Sequence, residues 1–196
     1  MHGLVKWNPL CPHTSWMETL PDLLCDPMSV LSVGLNPSIP SVKAGFYFAN
    51  PRNRFWKALN QCGFFKKNLT PSLDSCQYLL EQYQIGFTDL VKRPTPDCKE
   101  LRADDYRTGS NRLQILVNDI RPQAVWFHGK LTCQKYLQYG SENKHSVNWG
   151  LQSWAINNQP VYVTPNPSPA NAAFSLTTIS DSYADLLNRL CMSSKC

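Results

Sequence analysis

No stretch of the 196 residues approaches the roughly 20 apolar residues that cross a bilayer, and the N-terminus lacks a basic-then-apolar signal pattern. A soluble intracellular protein is therefore expected, in the cytoplasm or nucleoid of a bacterium or the nucleus of a eukaryote, with no membrane partner. The eight cysteines (Cys11, Cys25, Cys62, Cys76, Cys98, Cys133, Cys191 and Cys196) contain no Cys-x-x-Cys and form no Cys/His pair at zinc-finger spacing. That argues against structural zinc or an iron–sulfur cluster and leaves reduced, half-buried small apolar side chains. Cys11 with His13 comes nearest to a ligand pair. Neither Gly-x-Gly-x-x-Gly nor Gly-x-x-x-x-Gly-Lys occurs, so dinucleotide and P-loop chemistry have no signature. Repeats, low-complexity tracts and domain-splitting linkers are also missing, which reads as one domain over residues 1–196. Charged residues are scarce at 17% against 42% hydrophobic, a globular balance, and the net charge of +5 suits an anionic partner without requiring one.

What is present centres on Leu31–Trp56. Met28, Val30, Leu31 and Val33 make a short buried strand that stops at Gly34. Asn36-Pro37-Ser38 breaks it, Phe46, Tyr47 and Phe48 follow, and Asn53 is placed to cap a helix opening at Arg54-Phe55-Trp56. Open α/β sheets bind ligands in loops at the C-terminal ends of parallel strands. Adjacent aromatics in such a loop either pack beneath it or receive a flat heterocycle.

Residues 1–27 read as an irregular lead-in with a short helix near Trp16–Leu24. Helices are expected from Arg54 to about Cys62, from Ser72 or Asp74 through Gln82, over Leu113–Ile120 up to Pro122, from Lys130 to about Tyr139, and from Ser180 or Asp181 to about Leu190. The apolar faces of the second and third of these should carry Leu73, Tyr78, Leu79 and Leu80, and Leu113, Ile115, Leu116 and Ile120. Ile85–Val91, Ala124–Phe127 and Val161–Val163 are further core strands, and Trp154–Ile156 is an edge strand or hairpin. Mixed charges over Lys92–Asn111 suggest a solvated loop. Strands alternating with helices predict a three-layer α/β/α sandwich around a central, mainly parallel four-stranded sheet.

The last core strand runs into Thr164-Pro165-Asn166-Pro167-Ser168-Pro169-Ala170-Asn171, stiffer than a connector requires. Neither this loop nor the first contains a carboxylate; Asp26 and Asp89 are the nearest acids.

Gly34-Leu35-Asn36-Pro37, then Gly45–Ala49, Pro51, Asn53 and Phe55-Trp56, resemble the first motif of the mismatch-specific uracil/thymine-DNA glycosylases, the MUG/TDG family of the uracil-DNA glycosylase superfamily. The Pro-Ser loop after Val163 resembles the superfamily's second motif, and Thr88–Pro94 and Gly129-Lys130 look like further blocks. The likeness covers most of residues 28–190. It departs at Ser38, where the family usually has Gly.

The resemblance implies a monofunctional enzyme that extrudes uracil or a related damaged base from DNA and hydrolyses its glycosidic bond, initiating base-excision repair. Asn36 would position the water. Backbone groups at Leu35 and Phe48 would bind the base, the Phe48 ring would stack on it, Ser41 would sit near its C5 edge, and Asn166 would contact base or sugar. Ser38, Lys130, Ser168, Pro169, Ala170 and Asn171 would meet the DNA. No metal or other cofactor is expected, and a monomer is. The family's bulky or cationic wedge after Pro-Ser is missing, since nothing large follows Pro169 until Phe174. Two other readings stay open: a catalytically weak or inactive DNA-binding protein of the same fold, and an unrelated doubly wound nucleotide- or phosphate-binding domain.

Overall fold

The computed structural model describes residues 19–141 and 145–193. The Cys11/His13 pair lies outside the described residues. Strands β1 (Val30–Gly34), β2 (Ile85–Asp89), β3 (Ala124–His128), β4 (Gly150–Ile156) and β5 (Gln159–Thr164) form one sheet in the order β2-β1-β3-β5-β4. All neighbours are parallel except β4, which pairs antiparallel with β5 at the edge. Helices α1 (Ile39–Ala44), α2 (Phe55–Gln61), α3 (Leu73–Tyr83), α4 (Ala103–Ile120), α5 (Lys130–Gly140) and α6 (Leu176–Ser193) connect or follow the strands.

β1, β2 and β3 are buried on both sides, and successive residues along the sheet feed opposite cores. Val30, Phe87, Trp126 and Tyr162 pack with Phe55, Trp56, Leu79, Ile179 and Tyr183 from α2, α3 and α6. Leu31, Val33, Val125, Phe127 and Val163 pack with Leu113, Val117, Cys133 and Tyr136 from α4 and α5. Each large side chain removed from water this way contributes on the order of 2–3 kcal/mol. Three layers result, as the strand–helix alternation predicted.

Several elements differ from the sequence reading. The sheet has five strands, not four: the edge strand expected at Trp154–Ile156 joins the sheet beside β5 and is longer than expected, with a first half that begins at Gly150. Gln152 and Ser153 hide that half, and the reversal into β5 uses Asn157 and Asn158, both left-handed, as a tight hairpin requires. Helix α1 was unforeseen: Ser38 caps it, proline occupies its first turn, and Gly45 ends it in the left-handed region. Helix α4 starts ten residues before Leu113, at Ala103, because the Asp105 carboxylate accepts from the Arg102 backbone N–H at 2.7 Å and so organises the first turn of the charged segment. Helix α6 starts at Leu176, capped by Ser175, whose Oγ accepts from the Thr178 N–H at 3.0 Å.

Ser72 rather than Asp74 caps α3. Leu73 and Ile115 face solvent, not the core. Part of the helix expected at Trp16–Leu24 falls outside the described residues. The remainder is extended, and Leu23 exchanges two 2.9 Å hydrogen bonds with Phe87 on the outer edge of β2.

Candidate active site

Strands β1, β3 and β5 lie side by side about 5 Å apart, so the chain leaving Gly34, His128 and Thr164 emerges in a row at one end of the sheet. β2 lies on one side of β1 and β3 on the other, which makes the crevice above β1 and β3 the topological switch point.

Asn36 stands at that crevice. Its Nδ2 donates to Thr95 Oγ1 at 2.8 Å and to the Arg93 carbonyl at 3.1 Å. A carbonyl only accepts, so the NH2 group must face Arg93, and Oδ1 is left as the acceptor end of the amide. A parallel bridge between Ser38 and buried Thr95 keeps the two segments together. The Ser38 hydroxyl is the cap of α1, accepting from the Ser41 N–H at 3.3 Å. Ser41 Oγ accepts from Ser38 Oγ at 3.0 Å and from the Ala49 N–H at 3.2 Å. Ser41 is thus a buried latch that folds the aromatic loop back over α1.

Within that loop Phe48 has a φ of 57°, a left-handed conformation that is unusual and costly for a bulky residue. Its ring stacks on Phe55 at 4.0 Å and meets His128 edge-on at 5.1 Å. It is half-buried, whereas Tyr47 is core, stacked on Phe87. The Leu35 carbonyl accepts from the Val91 N–H, tying the first loop to the end of β2. Asn53 Oδ1 accepts from the Phe55 N–H at 2.9 Å, but α2 starts at Phe55 and the cap position falls to Arg54, one residue later than the sequence suggested.

The loop after β5 is closed on itself and then stapled to the first motif. Asn166 Oδ1 accepts from the Ser168 N–H at 2.9 Å, Ser168 Oγ accepts from the Ala170 N–H, and Asn171 Nδ2 donates to the Asn166 carbonyl at 2.9 Å. Asn166 also lies against Gly129: a Cβ there would come within 3.0 Å of Asn166 Cβ, and the φ of 95° at Gly129 already favours glycine. Arg54 is the staple. Its backbone N–H reaches the Pro167 carbonyl at 3.0 Å, and its guanidinium donates to the carbonyls of Ser168, Asn171 and Phe174. Pro169 and Ala170 are exposed at the tip.

Beneath the first loop lies a partly buried ionic cluster. Asp22 accepts from Lys92 and Arg112 at 2.8 Å each and from Thr88 Oγ1 at 2.7 Å. Asp89, at the end of β2, is buried, and its Oδ2 has no hydrogen-bond partner. Its Oδ1 lies so near Gly34 that a Cβ there would fall 2.4 Å away. Burial pushes the Asp89 carboxyl up to about 7, with Lys92 and Arg112 opposing the rise and Asp22 adding to it. His128, buried in the aromatic cluster with Nε2 2.8 Å from Ser32 Oγ, is driven down to about 3 by desolvation and stays neutral.

Among the described residues, no three His, Cys, Asp or Glu side chains are grouped to hold a metal ion, and no helix is long and apolar enough to cross a membrane. A cleft of about 610 Å³ lined by Gln114, Tyr136, Tyr139 and Trp154 shares no residue with these loops. Sequence reasoning missed Thr95, Arg54 and Asp89 as parts of the site. Thr95 directly follows the Thr88–Pro94 block and was within reach; Arg54 binds only carbonyls, which no residue type announces.

Comparison with known proteins follows the same outline. The family model described as "Uracil DNA glycosylase superfamily" matches residues 21–190. A solution NMR structure of "a putative Uracil DNA glycosylase" from Methanosarcina acetivorans superposes with a TM-score of 0.55 at 18% identity, covering 89% of this chain and 98% of that one. At that identity the likeness concerns the fold.

Proposed function

The chain belongs to the uracil DNA glycosylase superfamily, and from that premise we propose that it is a monofunctional DNA glycosylase of the mismatch-specific uracil/thymine type, working as one domain on DNA. The observation that carries the reading is the fixed amide of Asn36: with Nδ2 committed to Thr95 and Arg93, Oδ1 is the group available to accept from a water at the switch-point crevice. A neutral amide is a weak base, so acceleration comes from placing the water and stabilising the charges that develop as the bond breaks. That chemistry suits bases that leave easily as anions, uracil foremost.

Phe48 offers a ring to the extruded base while Phe55 backs it. The backbone at Leu35 and Phe48 serves the base oxygens, Ser41 sets the space at the C5 edge by fixing the loop at Ala49, and Asn166 meets base or sugar from the second loop. Ser38, Ser168, Pro169, Ala170, Asn171 and Lys130 face the DNA backbone. The acid–base groups nearby do not take the water's proton in this scheme: His128 is neutral and bonded to Ser32.

An oligonucleotide with one central uracil, treated with protein in excess EDTA and then with alkali, tests the proposal. Strand cleavage is expected. A mobility shift without cleavage would identify a binding protein instead, and neither would point to a different ligand.

A further inference from the structure

Trp149 is 43% exposed, an unusual position for the largest apolar side chain. It immediately precedes β4, whose first residue pairs with Val163 near the C-terminal end of β5, so it stands at the same end of the sheet as the two loops. Its ring meets Phe174 edge to face at 5.1 Å, and Phe174 is the last residue whose carbonyl Arg54 holds. Lys130 Nζ lies 4.8 Å from the centre of the same ring. Lys130 in turn follows Gly129, which packs on Asn166. An exposed indole and a cation therefore sit together at the rim of the second loop. That loop itself presents only Pro169, Ala170, Ala172 and Ala173 to solvent beside its polar groups, none with a flat face.

We propose that Trp149 is a stacking site for an unpaired nucleobase of the DNA strand next to the extruded one, with Lys130 pairing the adjoining phosphate. The inference takes its ligand, DNA, from the glycosylase reading and adds a contact that neither sequence motif contains. Every base has a π-face, so such a platform holds a strand without reading its sequence. The ammonium already rests on the ring and stays within reach of a phosphate when a base displaces it. Phe174 supports the indole from the side, which lowers the ordering needed on binding.

The test is binding of a fluorescein-labelled single-stranded oligonucleotide carrying one 2′-fluoro-2′-deoxyuridine, whose electron-poor sugar resists hydrolysis, measured by anisotropy over a salt series. Trp149→Ala should weaken binding at least ~5-fold, the low end for loss of one base–aromatic stack, and Trp149→Phe should stay within about 2-fold. Lys130→Gln should lower the salt-dependence slope by about 0.7, one phosphate contact on a single strand. Trp149→Ala within 2-fold of the parent, equal losses from the alanine and phenylalanine variants, or no binding by the parent chain would each overturn the proposal. Cleavage of an ordinary uracil oligonucleotide is measured in parallel. Cleavage with binding independent of Trp149 rejects the platform and keeps the glycosylase; Trp149-dependent binding without cleavage does the reverse.

Discussion

Arg54 and Pro167 are joined through the backbone, N–H to carbonyl at 3.0 Å, although 113 positions separate them. The guanidinium extends the contact to the carbonyls of Ser168, Asn171 and Phe174, so a single residue at the start of α2 sets the shape of the loop after β5. Arg54→Ala keeps the backbone bond and loses the others. It should cost about 1–3 kcal/mol in denaturant unfolding and reduce base release more than stability alone explains. Arg54→Lys should recover little, because one ammonium cannot span several carbonyls in a plane. Full activity in the alanine variant would show that the loop holds its shape without the staple.

Asn36→Ala should lower the single-turnover rate of uracil release by ~10²-fold or more with DNA affinity kept. Thr95→Val, which removes the hydroxyl that holds the Asn36 amide, should cost roughly 10-fold, with Thr95→Ser close to the parent. Rapid-quench kinetics on a G·U duplex separates these effects from product release. An Asn36→Ala rate within a few-fold of the parent would remove Asn36 from the mechanism.

Asp89 makes stability depend on pH. Its carboxyl ionises near 7 in the folded chain, against about 4 when unfolded. Between those values the unfolded chain releases the proton while the folded chain keeps it, so this residue's contribution falls as pH rises from about 4 to about 7 and is flat above. Asp89→Asn keeps the shape without the charge. It should therefore raise stability relative to the parent by about 1–3 kcal/mol at pH 8 and leave it unchanged near pH 4. Urea unfolding of both proteins at pH 4.5, 6 and 8 measures the difference; a gap that does not change with pH contradicts the assignment.

Base extrusion from an intact pair should be the weak step. Ala170 is exposed where a wedge would stand, and the Asn171 side chain already bonds to the Asn166 carbonyl. Unstacking costs a few kcal/mol and finds little repayment in alanine. Uracil in G·U pairs or single strands should be released at least ~10-fold faster than uracil in A·U pairs, and Ala170→Leu should narrow that gap. Equal rates on all three substrates would defeat the argument.

The fold was legible where burial is complete. β1 and β3 are mostly apolar and β2 opens with Ile85 and Phe87 before Thr88 and Asp89, so no partner element is needed to recognise them. β4 was legible only in its second half, Trp154–Ile156, because the first half of this wet edge strand carries Gln152 and Ser153 like any loop. The first half of α4 was read as loop from its mixed charges. Those charges are arranged around the helix: Asp105 serves its first turn and Arg93, and Arg107 pairs with Asp104. In the candidate site, Asn36 was singled out through the resemblance of its whole motif, but Thr95, which holds its amide, lies 59 positions away. Ser41 was expected near the C5 edge of the base and Asn171 against the DNA, and their hydroxyl and amide N–H make bonds within the loops. Residue type suggested polar function; only long-range pairing showed which polar groups are already occupied.

The bridge between Leu23 and Phe87 has a consequence for anyone who shortens this chain. β2 is a border strand, and Leu23 occupies the Phe87 N–H and carbonyl on its open side. A chain begun at Met28 would keep all the described strands and helices yet leave that border bare, a template on which a second copy could add its own strand. It would also strip Lys92 and Arg112 of their shared counter-ion, Asp22. Such a trimmed protein should precipitate more readily than the longer one, and the loss would come from association between molecules, with the end of the sheet that carries Asn36 still intact.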